Sequence, residues 1–389
     1  MPVTESIAAE QAEIIEWRRF LHRCPELLYD TVETAAFVAE KLREFGCDEV
    51  VTGIGTLGVV GVVHGRVGNS GPMLGLRSDM DALPIAEATG LPYASLNPGK
   101  MHACGHDGHM AMLLGAARHL ARNREFNGSV AFIFQPAEEG GAGAKAMIDD
   151  GLFDRFNIER VFGMHNLPGL PIGNFAMCPG PIMAATDEFA FEITGRSGHA
   201  AIPHRAADPV LAGAALVLAL QQIVARNTDP LDALVVSATE FHSGFVHNVI
   251  PDKATISGTV RSLKPQTRLY VEERMNSIAQ GIGLTHGVQV DLTYHHNYPV
   301  TQNDPEQTDL AAQAAMAVSG ASAVSVKAAP LMAGEDFSFM LQKKPGAFIF
   351  IGNGDTAGLH NSTYNFSDDA IIYGSSYWVT LVNQLLTSK

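Results

Sequence analysis

The chain has 389 residues, of which 46% are hydrophobic and 17% are charged, and its formal net charge is −15. This composition is that of a globular protein, and the length exceeds one ordinary domain core, so we expect two domains. The excess of negative charge argues against nucleic acid or anionic lipid as the main partner.

The N-terminal stretch MPVTESIAAEQAEIIEW has neither the basic region nor the apolar region of a signal peptide. No apolar run reaches about 18 residues without a break, so no membrane span is expected. Four cysteines in a chain of this length do not form a disulfide framework. These features together predict a soluble, cytoplasmic protein.

Two helices are predicted near the start of the chain. In EIIEWRRFLHRCPEL, the residues Ile14, Trp17 and Leu21 share one helical face. The next helix lies in DTVETAAFVAEKLREFG, where Asp30 and Glu33 have the spacing of a capping box.

Short apolar runs then alternate with helical patterns in both the first half and the last part of the chain. Strands are predicted at 56–63, 72–79, 128–135, 160–166 and 346–354, and helices at 108–123 and near 141–150. Strands that alternate with helices are typical of an α/β fold with a parallel sheet.

Residues 187–297 show a different order of elements. Each half of this region is predicted to form a strand, a helix and a second strand. The whole region therefore has the order βαββαβ of a ferredoxin-like domain. The strand–helix alternation resumes after this region. We therefore predict one discontinuous α/β domain, residues 1–186 and 298–389, with an inserted domain at 187–297.

Several predicted strands of the discontinuous domain are followed by polar clusters. Ligands of open α/β sheets bind at the carboxyl ends of the strands, and cysteine, histidine and carboxylate side chains are metal-binding types. A single histidine at a strand end is more often a structural, hydrogen-bonded residue, but several strands deliver candidate ligands to one edge. The clusters contain Asp79 and Asp81, the pair Glu138 and Glu139, His165, and His360.

The stretch MHACGHDGHM, residues 101–110, carries three histidines and a cysteine. In an extended segment His102, Cys104 and His106 point to the same side. His106 is the best imidazole partner for Cys104, whereas the spacing does not rank His102. His109 falls inside the predicted helix, where packing or a hydrogen bond is the expected role.

The adjacent pair Glu138 and Glu139 is expected to divide two functions. Neighbouring side chains of an extended segment point in opposite directions, and a metal hydrolase needs both a carboxylate ligand and a carboxylate general base. Two solvated loop glutamates are the alternative interpretation. One of Asp79 and Asp81 can orient a ligating histidine, or both can cap the loop.

Eight sequence blocks together resemble the M20 metallopeptidase family: LRSDMDALP, MHACGHDGH, FQPAEEGGAGAKAMIDDGL, GMHNLPGLPIG, GHAAIPH, NVIP, AGEDFS and GLHNSTYNF. The similarity is greatest to the amidohydrolase branch, which includes hippurate hydrolase, N-acyl-amino-acid amidohydrolases and plant auxin-conjugate hydrolases. The blocks follow the family's order over essentially the whole chain. The resemblance implies a dinuclear-metal α/β domain with an inserted lid domain that also dimerises.

The resemblance also implies roles for residues of the α/β domain. Glu138 corresponds to the general base, and Asp81 to a carboxylate behind the metal-bridging region. One departure from the family is Cys24, where relatives usually carry histidine, but this position lies outside the metal motifs. The implied metal ligands are Cys104, His106, Glu139, His165 and His360.

In the lid, His199 matches a histidine that reaches a neighbouring active site. Asn248 and Arg261 match residues that contact the substrate's carbonyl and carboxylate groups. The partners implied are a small N-acyl amino acid and a second copy of the chain, in a homodimer or a dimer of dimers formed through the lid.

The function implied is metal-dependent hydrolysis of the amide bond of hippurate-like N-acyl amino acids. Two divalent ions would activate a water molecule, from which Glu138 takes the proton. Zn²⁺ or Mn²⁺ is expected, and Co²⁺ or Ni²⁺ also suits the ligands. The alternatives are a dipeptidase or aminopeptidase of the same family, and a catalytically inactive, metal-stabilised binding dimer. The acyl group does not follow from the sequence.

Overall fold

The structure is a computed structural model that describes residues 3–387. Its strands, in chain order, are β1 (Glu49–Ile54), β2 (Gly58–His64), β3 (Met73–Asp79), β4 (Ser129–Gln135), β5 (Ile158–Leu167), β6 (Phe175–Ala176), β7 (Gly180–Met183), β8 (Ala185–Thr194), β9 (Gly198–His199), β10 (Leu234–Ser243), β11 (Val249–Ile250), β12 (Lys253–Ser262), β13 (Gln289–His296), β14 (Thr301–Asn303), β15 (Val324–Ser325) and β16 (Gly346–Gly352). Its α-helices are α1 (Glu5–Ala9), α2 (Gln11–Arg23), α3 (Val32–Glu44), α4 (His106–Arg122), α5 (Gly143–Asp149), α6 (Leu152–Arg155), α7 (Pro209–Gln222), α8 (Pro265–His286), α9 (Pro305–Ser319), α10 (Ser338–Leu341) and α11 (Ile371–Leu385).

The described residues form two compact units. The first unit consists of residues 3–182, 302–329 and 336–387. The second unit consists of residues 183–301 and 330–335. The second unit is larger than the predicted inserted domain, 187–297, because it also contains 183–186, 298–301 and the separate segment 330–335.

Eight strands of the first unit form one sheet in the order β1-β2-β4-β3-β5-β16-β6-β15. The central strands β4, β3, β5 and β16 are parallel, as the strand–helix alternation predicts. At one side the sheet is antiparallel, because β1 pairs with β2 and β2 with β4 in that sense. The connection from β1 to β2 spans only residues 55–57, which is too short for the crossover that parallel neighbours require.

The N-terminal cap of helix α3 differs from the cap that the local sequence predicts. The capping box of Asp30 and Glu33 is wrong, since the helix begins at Val32 with no hydrogen bond from a capping side chain at its N-cap residue. Instead, the carboxylate of Glu26 accepts the backbone N–H groups of Glu33 and Thr34, at 3.1 and 2.8 Å. The cap therefore comes from the preceding turn. The capping-box spacing does not predict it, because that spacing relates only residues within the first turn of the helix.

In the second unit, four antiparallel strands form a sheet in the order β10-β12-β8-β13. Helices α7 and α8 pack against this sheet and share its apolar core. The six main elements occur along the chain in the predicted order, strand–helix–strand–strand–helix–strand.

One helical stretch, Pro209–Asn227, is long and apolar enough to cross a membrane by length and composition alone, which differs from the expectation that no span exists. It consists of α7 and a π-helical turn, Ile223–Asn227. Its inner residues Ala212, Leu216 and Leu220 are fully buried in the core of the second unit. An apolar helix is ordinary in such a core, so the composition alone is weak support for a membrane span.

Candidate metal centre

The polar clusters predicted at the strand ends lie together in the first unit. Strand β3 ends at Asp79, Glu138 and Glu139 follow β4, and His165 lies near the end of β5. These three strands are parallel neighbours, and therefore their carboxyl ends meet at one edge of the sheet.

The five residues predicted as metal ligands occupy one small region at this edge. Cys104 Sγ lies 3.3 Å from His165 Nε2. Glu139 Oε1 lies 3.9 Å from His106 Nε2 and 3.3 Å from His360 Nε2. The side chains of Cys104, His106 and Glu139 approach one another closely enough to hold a single cation. The side chain of His360 is 53% exposed, whereas the other four are shielded from water.

Backbone carbonyl groups fix the direction of two of these imidazoles. His106 Nδ1 donates to the carbonyl oxygen of Asp81, and His165 Nδ1 donates to that of Asn166, both at 2.7 Å. A carbonyl oxygen only accepts, so each ring carries a proton on Nδ1, which leaves Nε2 as the nitrogen that can bind a cation once it is deprotonated. This is the tautomer that a metal-binding histidine with an orienting partner adopts.

His102 and His109 lie in different surroundings, since only His109 belongs to a cluster with His106. The left-handed residue Gly105 turns the chain, and α4 begins at His106, two residues before the predicted start. The segment is therefore not extended throughout, and His102 is buried outside the clusters that can hold a metal in residues 3–387. His109 Nδ1 donates to Asp79 at 2.7 Å and its Nε2 accepts the N–H of Asn166 at 2.9 Å, the hydrogen-bonded role expected.

The carboxylate of Asp81 holds the backbone of the glutamate pair. Its Oδ1 accepts the N–H of Glu138 and its Oδ2 that of Glu139, both at 3.0 Å. The same residue orients His106 through its carbonyl oxygen, 2.7 Å from the ring. The orienting group is thus mainly the main chain of Asp81, while its side chain fixes the two glutamates.

The backbone around the glutamate pair is strained. Ala137 and Ala142, which flank it, both have a φ of 55°, and His360 has a φ of 62°. This left-handed region costs a residue with a side chain on the order of 1–2 kcal/mol. Of the five non-glycine residues with positive φ in residues 3–387, two therefore flank the glutamate pair and a third is itself a predicted metal ligand.

The ionisable groups at this edge of the sheet shift one another's pKa values. Burial raises the pKa of the Cys104 thiol well above its usual range, and the charges of Glu139, Glu138 and Asp79 raise it further. Burial lowers the pKa of His106, but Asp79 and the neighbouring carboxylates outweigh it and raise that pKa to about 10. The site thus has an excess of negative charge, which a divalent cation would neutralise.

The remaining predicted residues lie in the second unit. His199 is in β9, which pairs with β11, and the carbonyl oxygen of Asn248 accepts the N–H of Ala200 at 3.1 Å. The structure therefore brings His199 and Asn248 together. Arg261 lies separately on β12, where its Nη1 donates to the carbonyl oxygen of Val260 at 2.9 Å.

Comparison with known proteins identifies the family. The model of peptidase family M20/M25/M40 matches residues 75–384. The chain belongs to this family. The match includes all of the metal-binding cluster described above.

Relatives within the M20 family match over nearly the whole chain. Hippurate hydrolase of Campylobacter jejuni is 44% identical over 376 residues, which cover 97% of both chains. N-acetyl-L-cysteine deacetylase of Bacillus subtilis is 39% identical, over 99% of this chain and 91% of that protein. A crystal structure of a dinuclear metal-binding M20 peptidase from Bacillus subtilis is 35% identical, with a TM-score of 0.86 over 97% of this chain and 99% of that one.

The M20 fold also brings in buried residues that the sequence analysis did not single out. Arg77 is fully buried on β3 and donates to Asp79 at 2.9 Å and to Asp336 at 3.0 Å. Arg77 and Asp336 stand in two of the quoted blocks, LRSDMDALP and AGEDFS. A charged residue inside an otherwise apolar strand was the available signal, because arginine is almost never fully buried without a partner.

We expect Asp81→Ala to destabilise the metal-free protein by about 1–3 kcal/mol, because it leaves two shielded N–H groups without an acceptor. The free energy of unfolding, measured by denaturation with a chelator present, checks this. Asp48→Ala is the control. Asp48 also accepts a backbone N–H, that of His64 at 2.7 Å, but its side chain is 32% exposed, so water can replace it. Equal losses of unfolding free energy in both variants would contradict the stabilising role of the buried hydrogen bonds to Asp81.

Proposed function

We propose that this protein hydrolyses the amide bond of hippurate-like N-acyl amino acids, releasing a carboxylic acid and an amino acid. The observation that carries the proposal is the buried set of metal-binding side chains beside Glu138, in a chain that belongs to the M20 family. The names of two of its relatives, hippurate hydrolase and N-acetyl-L-cysteine deacetylase, both describe removal of an acyl group from an amino acid. The enzyme is accordingly a metal-dependent amidohydrolase.

Two divalent cations are the proposed cofactor, with Zn²⁺ or Mn²⁺ expected and Co²⁺ or Ni²⁺ also suited to the donors. The fit is supported by His106 Nε2, which is buried without a hydrogen bond among residues 3–387 and faces Glu139 Oε1. When bound, the cations act as Lewis acids on the amide carbonyl and lower the pKa of water. The proposed ligands are Cys104, His106, Glu139, His165 and His360.

The surroundings of Glu138 and Glu139 support different roles for them. Glu139 Oε1 faces His106 and His360, as a ligand would. Glu138 Oε1 instead accepts the N–H of Asp336 at 3.4 Å. We assign Glu138 the role of general base, which takes a proton from the attacking water and passes it to the leaving amine nitrogen. Asp81 would keep the two glutamates in their separate positions.

His199 is proposed as a donor to the oxyanion that forms on the substrate carbonyl. Its Nδ1 accepts the N–H of Ala201 at 3.0 Å, so the ring proton is on Nε2, and His199 is exposed. That N–H can therefore donate outward. Asn248, in the neighbouring segment, is proposed to bind the carbonyl as well.

Arg261 is proposed to bind the α-carboxylate of the substrate. A guanidinium holds a carboxylate through two parallel hydrogen bonds. Asp187, which lies opposite Val260 on the neighbouring strand β8, is already bound by Arg268 Nε at 2.7 Å and by Tyr294 at 2.9 Å. Asp187 is thus occupied by other partners, which supports a role for Arg261 in binding an anionic substrate.

We also propose that the chain forms a homodimer, or a dimer of dimers, through the second unit. Helix α7, PVLAGAALVLALQQ, contains no charged residue, and Leu211 and Leu218 are 60% and 75% exposed. Strand β10 lies at the edge of its sheet and also exposes Val235 and Phe241. A second copy can cover this patch, because the same surface on two copies forms a closed interface.

We propose a cytoplasmic location because the cysteine thiols are free. All four cysteines lie among the described residues and are free, and Cys104 must stay reduced to bind a cation. A reducing compartment meets this requirement.

Metal-free protein reloaded with Zn²⁺ or Mn²⁺ should release amino acid from at least one member of a panel of N-acyl amino acids. Glu138→Gln should retain two cations per chain but lose turnover by on the order of 100-fold or more, because it removes a base and not a ligand. Elemental analysis beside an amine-release assay measures both. Glu139→Gln, the matched variant, should bind fewer cations. Equal metal loss in the two variants would reject the assigned roles, and a loaded wild type inactive on the whole panel would reject the function.

Arg261→Ala should reduce kcat/KM for an N-acyl amino acid on the order of 100-fold, since the carboxylate loses a bidentate, charge-assisted partner. The corresponding amide, which has no carboxylate, serves as the control substrate and should be affected far less. Arg261→Lys should recover only part of the loss, because an ammonium lacks the planar fork. A uniform loss on both substrates would show that Arg261 acts on structure and not on recognition.

Mixing inactive Glu138→Gln protein with inactive His199→Ala protein should restore activity if His199 serves the other subunit. One site of each mixed dimer then has both groups, so the activity per mixed dimer should approach half that of a wild-type dimer, as expected for one intact site of two. Adding Leu218→Glu to both proteins should prevent dimerisation and recovery, whereas Leu96→Glu, on an exposed leucine of the first unit, should not. Failure to recover activity despite proven subunit exchange would overturn the cross-subunit role.

A further inference from the structure

Arg77 connects the two sides of the candidate metal centre. Its side chain is fully shielded from water in the middle of the sheet. The guanidinium donates through Nη1 to Asp79 at 2.9 Å and through Nη2 to Asp336 at 3.0 Å. Its Nε donates to Gln135 Oε1 at 2.8 Å, so each edge of the planar group has a defined partner.

Asp336, on one side of Arg77, fixes the loop that carries the glutamates. Its carboxylate accepts Gln135 Nε2 at 2.8 Å, at the end of β4, and the N–H of Ala144 at 2.9 Å, in the first turn of α5. Its own backbone N–H donates to Glu138 Oε1 at 3.4 Å. One residue thus holds both ends of the loop and the side chain of the proposed base.

Asp79, on the other side, belongs to the imidazole group. It accepts His109 Nδ1 at 2.7 Å and lies 3.7 Å from His106 Nε2. Asp79, His106, His109 and His165 all approach within one small, buried cluster. The position of Asp79 therefore affects where the imidazoles of this cluster lie.

We propose that Arg77 is a positioning residue that sets the distance between the base Glu138 and the metal-binding imidazoles, acting through Asp336 on one side and Asp79 on the other. This inference rests on the proposed function for its kinetic test but not for its metal-binding test. Two buried carboxylates repel each other unless a cation lies between them, and a guanidinium fork can bind both at fixed angles. A lysine keeps the charge but supplies one point of contact, so it cannot hold both carboxylates in register.

Arg118 provides a matched control elsewhere in the first unit. It is also buried, at 2% exposure, and its guanidinium binds Glu10 at 2.7 Å and Glu13 at 2.6 Å. It stacks over the ring of Trp17, 4.5 Å from the centroid. Arg118 is thus buried and has two carboxylate partners, as Arg77 does, but its partners Glu10 and Glu13 are 31% and 59% exposed and neither contributes to the metal centre.

The test compares Arg77→Lys with Arg118→Lys in the full-length, metal-loaded protein. Arg77→Lys should lower kcat on the order of 100-fold with KM for the N-acyl amino acid nearly unchanged, as expected when a catalytic group is displaced by about 1 Å. Arg118→Lys should lose thermal stability but keep its kcat per folded molecule. If both variants lose stability and neither loses kcat, Arg77 is structural only and the inference is overturned.

A second measurement is independent of the substrate. Titration of the metal-free proteins with Zn²⁺ or Co²⁺ should show about 10-fold or greater weakening for Arg77→Lys, the effect of losing support behind a ligand, and no change for Arg118→Lys. If wild type hydrolyses no N-acyl amino acid but this weakening is found, the proposed function fails and the role of Arg77 stands. Unchanged cation affinity together with unchanged kcat would overturn it.

A double-mutant cycle tests the route through Asp336. If Arg77 acts on Glu138 through Asp336, the combination of Arg77→Lys with Asp336→Asn should lose clearly less kcat than the product of the two single losses, because the part of the loss that passes through Asp336 is counted only once. Additive losses would show that Arg77 and Asp336 act separately. That result would overturn the proposed action of Arg77 on Glu138 through Asp336.

Discussion

Buried negative charge is the constraint on which the first unit depends. Asp79, Asp81, Glu138 and Asp336 are all shielded from water at one edge of its sheet. A carboxylate moved out of water is strongly unfavourable unless donors or cations surround it. Each of these groups accordingly receives backbone N–H groups, an imidazole or the Arg77 guanidinium, and the charge that remains is the physical reason for the proposed cations.

This constraint also explains the form of the backbone around the site. The loop that carries Glu138 and Glu139 has to direct the carboxylate of Glu139 toward the imidazoles and that of Glu138 toward Asp336. Left-handed residues at Ala137 and Ala142 make these turns possible within a few residues, and hydrogen bonds that the carboxylates of Asp81 and Asp336 accept from the backbone offset the strain. A loop without those acceptors would relax, and the two glutamates would lose their separate directions.

The second unit follows simpler rules. Its antiparallel sheet needs cover on one face, which the inner sides of α7 and α8 supply. Burial of Leu216 and Leu220 accounts for only part of the apolar surface of α7, because Leu211 and Leu218 face outward. An uncharged helix with an exposed apolar side is poorly suited to water, which is why a second copy of the chain is a physically reasonable cover.

Local patterns in the sequence determined most of the elements. Apolar runs of strand length predicted the central strands, since a strand buried on both faces is apolar throughout, and helical spacing predicted the buried face of Ile14, Trp17 and Leu21. The spacing argument also anticipated that neighbouring glutamates would face different partners. The resemblance, carried by eight blocks, supplied the family and the reaction class.

The tertiary structure decided everything that joins distant residues. Arg77 and Asp336 are 259 positions apart, and Asp81 and Glu138 are 57 apart, so no local pattern relates them. The cap of α3 by Glu26 and the separation of His102 from His106 likewise depend on turns whose direction periodicity does not encode. The sequence by itself determined which segments are apolar and which side chains can bind metal, because those are properties of single residues and their spacing. Only folding decided which carboxylate meets which donor, since a buried charge takes its partners from whatever part of the chain packs against it.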